Sequence, residues 1–135
     1  MVTRMIVCGG RKSVGREAQQ FVYRTMDGLL RLHHKIVVIE GGQRTYPPDR
    51  KKGETVEPIG GIDYWAMRWA RFRGQECITV AADWDRFGAQ AGPIRNLKMI
   101  EEHAPGFVVA FPGGYGTSNM VGIARRRKIP IIFPK

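Results

Sequence analysis

Short apolar runs without polar alternation recur along the chain, and between them apolar residues fall at helical spacing. RMIVCG (4–9) predicts a buried strand closed by Gly9 and Gly10, and over 17–32 the residues Ala18, Phe21, Val22, Met26, Leu29 and Leu30 share one 3.6-period face. KIVVIEGG (35–42) predicts a second strand ending in paired glycines. Ile62, Trp65, Ala66, Trp69 and Ala70 then follow the i, i+3, i+4, i+7, i+8 pattern of an amphipathic helix. ECITVAADW (76–84) predicts a third strand, Ile94, Leu97 and Ile100 a third helix, and GFVVAF (106–111) a fourth strand. A fourth helix is predicted over 117–127 and a closing strand at PIIF (130–133).

Valine- and isoleucine-rich strands that lack a polar face are buried on both sides, and with helices between them they imply a parallel sheet covered on each face. The expected fold is therefore α/β, a Rossmann-like three-layer sandwich with a mainly parallel sheet of about five strands. In such a sheet the ligand lies outside the carboxyl ends of the strands. That places 9–12, 41–44, 82–86 and 112–117 around a prospective site. The stretch QRTYPPDRKKGETVEPIGG (43–61) breaks the rhythm with three prolines, three glycines and many charges. It predicts a loop insertion at about 43–59, either a lid or assembly arm or a mobile insertion.

Composition narrows the class. The 135 residues suit one domain, and no stretch approaches the roughly 20 apolar residues of a membrane span. The N-terminus lacks the h-region of a secretory signal, so a cytoplasmic, non-membrane protein is expected. Cys8 and Cys77 stand apart without a metal-binding or redox spacing and read as buried free thiols. A net charge of +10 favours phosphates and other anions as partners.

The chemistry concentrates at the predicted strand ends. In FPGGYGT (111–117), Pro112, Gly113, Gly114, Gly116 and Thr117 hand a strand over to a helix. Glycines there let a ligand approach the backbone, free helix N-terminal amides favour an anion, and the threonine adds a hydroxyl. The alternative is a tight turn with no ligand. Arg95 and Asn96 lie just inside the third helix, suited to a phosphate and to a sugar or base; taken alone, they read better as a solvated arginine and an asparagine bonding its own backbone. Gly9, Gly10 and Arg11 repeat the pattern of glycines followed by a cation. Asp63, in the first turn of its helix, either opposes the helix dipole or bonds a ribose hydroxyl or base. Asp83 and Asp85 are acid candidates by position only, and Trp84 either stacks on a base or plugs the sheet end. Trp65 and Trp69 read as core or dimer packing. The cationic run 125–128 and Arg68, Arg71 and Arg73 read as solvated helix faces, unaccompanied by any nucleic-acid-binding motif.

VCGGR (7–11), GGIDYWAMRWA (60–70), ADWDRFGAQAGPIRNLKMI (82–100) and FPGGYGTSNMVGIARRRKIPII (111–132) together resemble the YspA, or cpYpsA-related, branch of the SLOG superfamily. The resemblance spans the chain outside 43–59. It implies a Rossmann-like domain that binds a nucleotide, nucleotide sugar or NAD-derived ligand as a sensor, carrier or sequestering protein. It also implies a homo-dimer or higher homo-oligomer, and no cofactor. More distantly, the motifs are similar to those of the lonely-guy phosphoribohydrolases, the molybdenum-cofactor carrier proteins and the DNA-processing protein DprA. In the hydrolases the glycine loop continues to a glutamate three residues after the threonine, and an arginine is followed by lysine. Here those positions hold Met120 and the pair Arg95–Asn96, so the binding residues match and the catalytic acid does not. Asp63, Asp83 or Asp85 would have to replace that acid in a phosphoribohydrolase, and a DprA-like nucleic-acid module is the further alternative. Where related sequences have a compact glycine-rich turn before the aspartate, this chain has the 43–59 insertion.

Overall fold

A computed structural model describes all 135 residues. Its elements are β1 (Thr3–Cys8), α1 (Gly15–His33), β2 (Ile36–Glu40), α2 (Ile62–Phe72), β3 (Glu76–Thr79), the single-turn α3 (Trp84–Phe87), α4 (Ala91–His103), β4 (Phe107–Ala110), α5 (Tyr115–Arg126) and β5 (Ile131–Ile132). The five strands form one sheet in the order β3-β2-β1-β4-β5, every pair parallel. The expected α/β sandwich is present, and its sheet is wholly parallel.

The two-residue period of the strands divides the core. From β1, Met5 and Val7 face α1 and α2, where they meet Val22, Met26, Trp65 and Trp69; Ile6 faces α4 and α5 beside Met99, Ile100, Met120 and Ile123. Trp65 and Trp69 are 7% and 0% exposed, which makes them core residues and leaves Phe72 as the exposed aromatic of α2. Removing such aromatic and aliphatic side chains from water contributes about 1.5–3 kcal/mol each. Trp69 also carries an indole N–H that burial would orphan. It donates to Asp27 Oδ1 at 2.9 Å, and Arg73 holds the same carboxylate with two bonds of 2.9 Å.

Two predicted elements differ from those observed. The third strand is shorter than expected: Val80 N–H makes its last parallel ladder bond, to Glu40 O at 2.8 Å, and Asp83 then caps α3 by accepting from the Arg86 amide. The predicted third helix is α4, but Ile94 and Leu97 face outward, and the inward face instead carries Arg95, Asn96, Met99 and Ile100. A purely apolar reading of that helix misses its turn toward the site.

The 43–59 segment is pinned at both ends. Thr45 N–H donates to Gly60 O and Ile59 N–H to Thr45 O, while Gly61 N–H reaches Ser13 O and the Thr45 hydroxyl reaches Arg11 O. Its stem is thus a small antiparallel closure against the β1–α1 loop, with charged residues at its tip.

Asp27→Ala should lower stability by about 1–3 kcal/mol, because it strands the buried Trp69 N–H. A urea midpoint matching wild type would contradict this.

Candidate functional site

The sheet order reverses between β1 and β4, so the loops following these two strands diverge and leave a crevice at their carboxyl ends. A cleft of about 1160 Å³ occupies that crevice, lined by the β1–α1 loop, the end of β2 and start of the arm, Asp63, Arg95 and the β4–α5 turn. Three of the four expected strand ends meet there. The fourth, 82–86, does not: Asp83 and Asp85 are exposed and outside the lining, and Trp84 lies against Gly92, with one ring carbon 3.3 Å from where a Cβ would be.

The glycines have two kinds of role. Gly10 N–H donates to Pro112 O at 2.9 Å, and a Cβ on Gly113 would come 2.8 Å from the Gly10 nitrogen, so these two residues allow the loops to touch. Gly9 is likewise closed in, its Cβ position blocked by Ile62 and Phe111. Gly114 and Gly116 are different: nothing lies within 4 Å of a Cβ at either, and both line the cleft. Protein packing does not account for glycine at these two positions. The amides of Gly114, Tyr115, Gly116 and Thr117 donate to no protein group, nor does the Thr117 hydroxyl, so the N-terminus of α5 offers a row of donors at the positive end of its dipole.

Arg95 is 7% exposed. Its Nε donates to Asn96 Oδ1 at 2.9 Å and its Nη1 to Gly41 O, while Nη2 has no partner in the protein. Every fully buried side-chain nitrogen and oxygen is hydrogen-bonded, so Nη2 opens to the cleft that Arg95 lines. Asn96, expected beside Arg95 at the site, is there and is tied to α5. It donates through Nδ2 to Gly116 O at 3.0 Å and to Asn119 Oδ1 at 2.9 Å, and it is 4% exposed. With both N–H groups and Oδ1 engaged, it braces Arg95 against the glycine turn, and it lines the cleft. Arg11 is exposed on the rim with its side chain unpaired.

Glu40 lies outside every range the sequence placed at the site, and Arg44 and Tyr115 fell within the expected ranges 41–44 and 112–117 without an assigned role. Glu40 is wholly buried at the end of β2. It accepts from Gly42 N–H at 2.7 Å, from Arg44 at 2.9 and 3.2 Å and from the Thr79 hydroxyl at 2.5 Å. The acid closing the run IVVIE, with an arginine four residues on, was the available signal. Tyr115 is 97% exposed at the cleft lip, and only its place in the glycine turn distinguishes it.

Asp63 lies beside this network, with Oδ2 accepting from Gln43 N–H at 3.1 Å. Burial, reinforced by the Glu40 charge, pushes its pKa up to about 7, against the pull of the Gln43 N–H and of Arg95 and Arg44. Burial likewise pushes the Cys8 and Cys77 thiols up to about 12, so neither is a thiolate nucleophile near neutral pH. Met120, at the position of the hydrolases' glutamate, is fully buried in the core under α5.

Fold and cleft define a doubly wound parallel α/β protein whose cleft sits at the topological switch point. Over 136 residues the chain is 30% identical to the Gene 61 protein of Mycobacterium phage D29, covering 96% of this chain and 94% of the phage protein, and it belongs to the family of that protein. No family model matches the chain. Among solved structures, it is similar to a universal stress protein from Archaeoglobus fulgidus, with a TM-score of 0.52 and 15% identity over 98% of this chain and 93% of that one. A second, from the universal stress protein family of Burkholderia pseudomallei, has a TM-score of 0.47 and 13% identity over 98% and 96% of the two chains. The first of these likenesses supports the fold alone. No helix is long and apolar enough to cross a membrane.

The raised Asp63 pKa sets a pH dependence. Between about pH 4 and 7 the unfolded chain gives up this proton and the folded chain keeps it, so stability is full at acidic pH and falls as pH rises toward 7, by at most about 4 kcal/mol. Asp63→Asn removes that loss. Relative to wild type, the variant should gain stability between pH 5 and pH 8 in urea unfolding; a constant difference would contradict the assignment.

Proposed function

We propose that the cleft binds a nucleotide or nucleotide derivative, with a phosphate on the amides of Gly114–Thr117 and on Arg95, so that the protein acts as a sensor, carrier or sequestering protein. The observation carrying this reading is the convergence of two independent donors on one place: the unpartnered row of amides at the N-terminus of α5, and the nine-tenths-buried Arg95 with Nη2 open to the same cleft. A buried guanidinium bonded on two nitrogens and free on the third is a preorganised anion contact, because its ordering cost is met in folding. Gly114 and Gly116 keep the approach clear of side chains. Among the cleft-lining residues, Arg11, Lys12, Arg44 and Arg95 face one carboxylate, Asp63, which favours an anionic ligand. The cleft is large enough for a nucleoside beyond the phosphate, and the resemblance to the YspA branch of the SLOG superfamily supports the same reading.

A second reading is favoured by Asp63. A carboxyl whose pKa lies near 7 suits general acid work, as cleavage of an N-glycosidic bond in a nucleoside monophosphate requires. Against it stands Met120, which leaves the usual acid position in the core. Chromatographic detection of free base on incubation with nucleoside monophosphates would establish turnover.

Isothermal titration with AMP, GMP, ADP and ADP-ribose should detect binding by at least one. The parent nucleoside should bind at least about 100-fold more weakly. Arg95→Ala, folded by circular dichroism, should lose about 10–100-fold, as removal of a charge-assisted hydrogen bond implies. Equal binding of nucleoside and nucleotide would overturn the reading, as would binding of duplex DNA alone with a log-log salt slope of roughly −0.9 per phosphate.

A further inference from the structure

The cleft floor holds an acceptor that no phosphate needs. Asp63 is 5% exposed and engages only Oδ2, with Gln43 N–H; Oδ1 accepts nothing from the protein. Because every fully buried polar side-chain atom has a partner, Oδ1 opens to the cleft that Asp63 lines. Asp63 is also the one carboxylate among the lining residues.

Its place relative to Arg95 fixes which part of a ligand it meets. The two side chains converge over Gly41, where a Cβ would come 2.7 Å from Arg95 Cζ and 3.0 Å from Asp63 Oδ2. On the other side, Arg95 is tied through Asn96 to Gly116 O, at the start of α5. The floor therefore runs from the α5 amides through the guanidinium to the carboxylate. With phosphate at the first and Arg95 beside it, the group that follows phosphate in a nucleotide, the sugar, lies over Asp63. A carboxylate attracts O–H donors and rejects acceptors, and the donors of a ribose are its hydroxyls.

We propose that Asp63 Oδ1 accepts a hydrogen bond from the ribose diol and makes the site selective for ribonucleotides over their deoxy counterparts. The inference rests on the nucleotide reading above and adds to it a choice of sugar. Its physical basis is asymmetric: a ligand lacking the hydroxyl displaces water from Asp63 and returns no donor, so the analogue is penalised more than a simple lost contact would suggest. Glu40, close enough to raise the Asp63 pKa, sharpens the need for a donor.

The test compares the four ribonucleoside 5′-monophosphates with their 2′-deoxy and 3′-deoxy forms on the wild-type protein, by isothermal titration at pH 8. At least one of the two deletions should weaken binding by about 10–100-fold for every base that binds. Asp63→Asn retains an acceptor for Gln43 N–H and should narrow that ratio to about 3-fold or less. Because the ligand series runs on wild type, a poorly folding variant does not blunt the test. Ribo and both deoxy forms binding within about 3-fold of one another would overturn the inference and leave nucleotide binding intact. Failure of every nucleotide to bind would overturn both.

Discussion

Glu40 is a carboxylate at the end of a central strand with no access to water, and the site depends on how it is satisfied. An isolated buried charge would cost several kcal/mol, so each of its oxygens must find donors within the fold. Gly42 N–H and Arg44 supply them from the chain just beyond β2, and Thr79 from the neighbouring strand. Those bonds turn the backbone sharply after the strand, bring Arg44 into the cleft wall and aim the arm back across the β1–α1 loop. They also hold a negative charge beside Asp63, which adds to burial in raising the pKa of that cleft-lining carboxyl. Replacing one partner would leave the others uncompensated, which makes the cluster an all-or-none feature of the floor.

Around this floor the cleft is assembled from contacts that leave selected donors free. Asn96 uses its hydrogen bonds to lock Arg95 to the α5 turn, and Gly41 O holds a second nitrogen of the same guanidinium. What remains open is one nitrogen of Arg95, one oxygen of Asp63 and the α5 amides. The fully buried side-chain nitrogens and oxygens are all hydrogen-bonded, and these unpartnered atoms face one concavity, which is the arrangement the proposed recognition uses.

The fold was legible because parallel strands buried on both faces carry an unbroken apolar signal, and every strand was found near its observed place. The glycine turn was legible too, since a strand, a proline and three glycines before a helix have few other uses. Less was legible where a residue's partner lies far along the chain. Glu40 reads as the polar end of a strand until Thr79, 39 residues away, is seen to donate to it. Ile94 and Leu97 suggested the inward face of α4, whereas the helix buries Arg95 and Asn96, because their burial is sustained by bonds to β2 and α5 that no local pattern records. The arm lacked periodicity, and its order comes from single backbone pairings with residues 10 to 15 and 60 to 61.

The central claim is that the N-terminus of α5, with Arg95 behind it, is the anchor for a phosphate. Amide chemical shifts in a ¹⁵N-labelled sample, compared on adding AMP and on adding adenosine, test it most directly. The account predicts that AMP moves the amides of Gly114, Tyr115, Gly116 and Thr117 most and that adenosine leaves them in place. Shifts confined to the arginine run at the far end of α5, or identical for the two compounds, would contradict it.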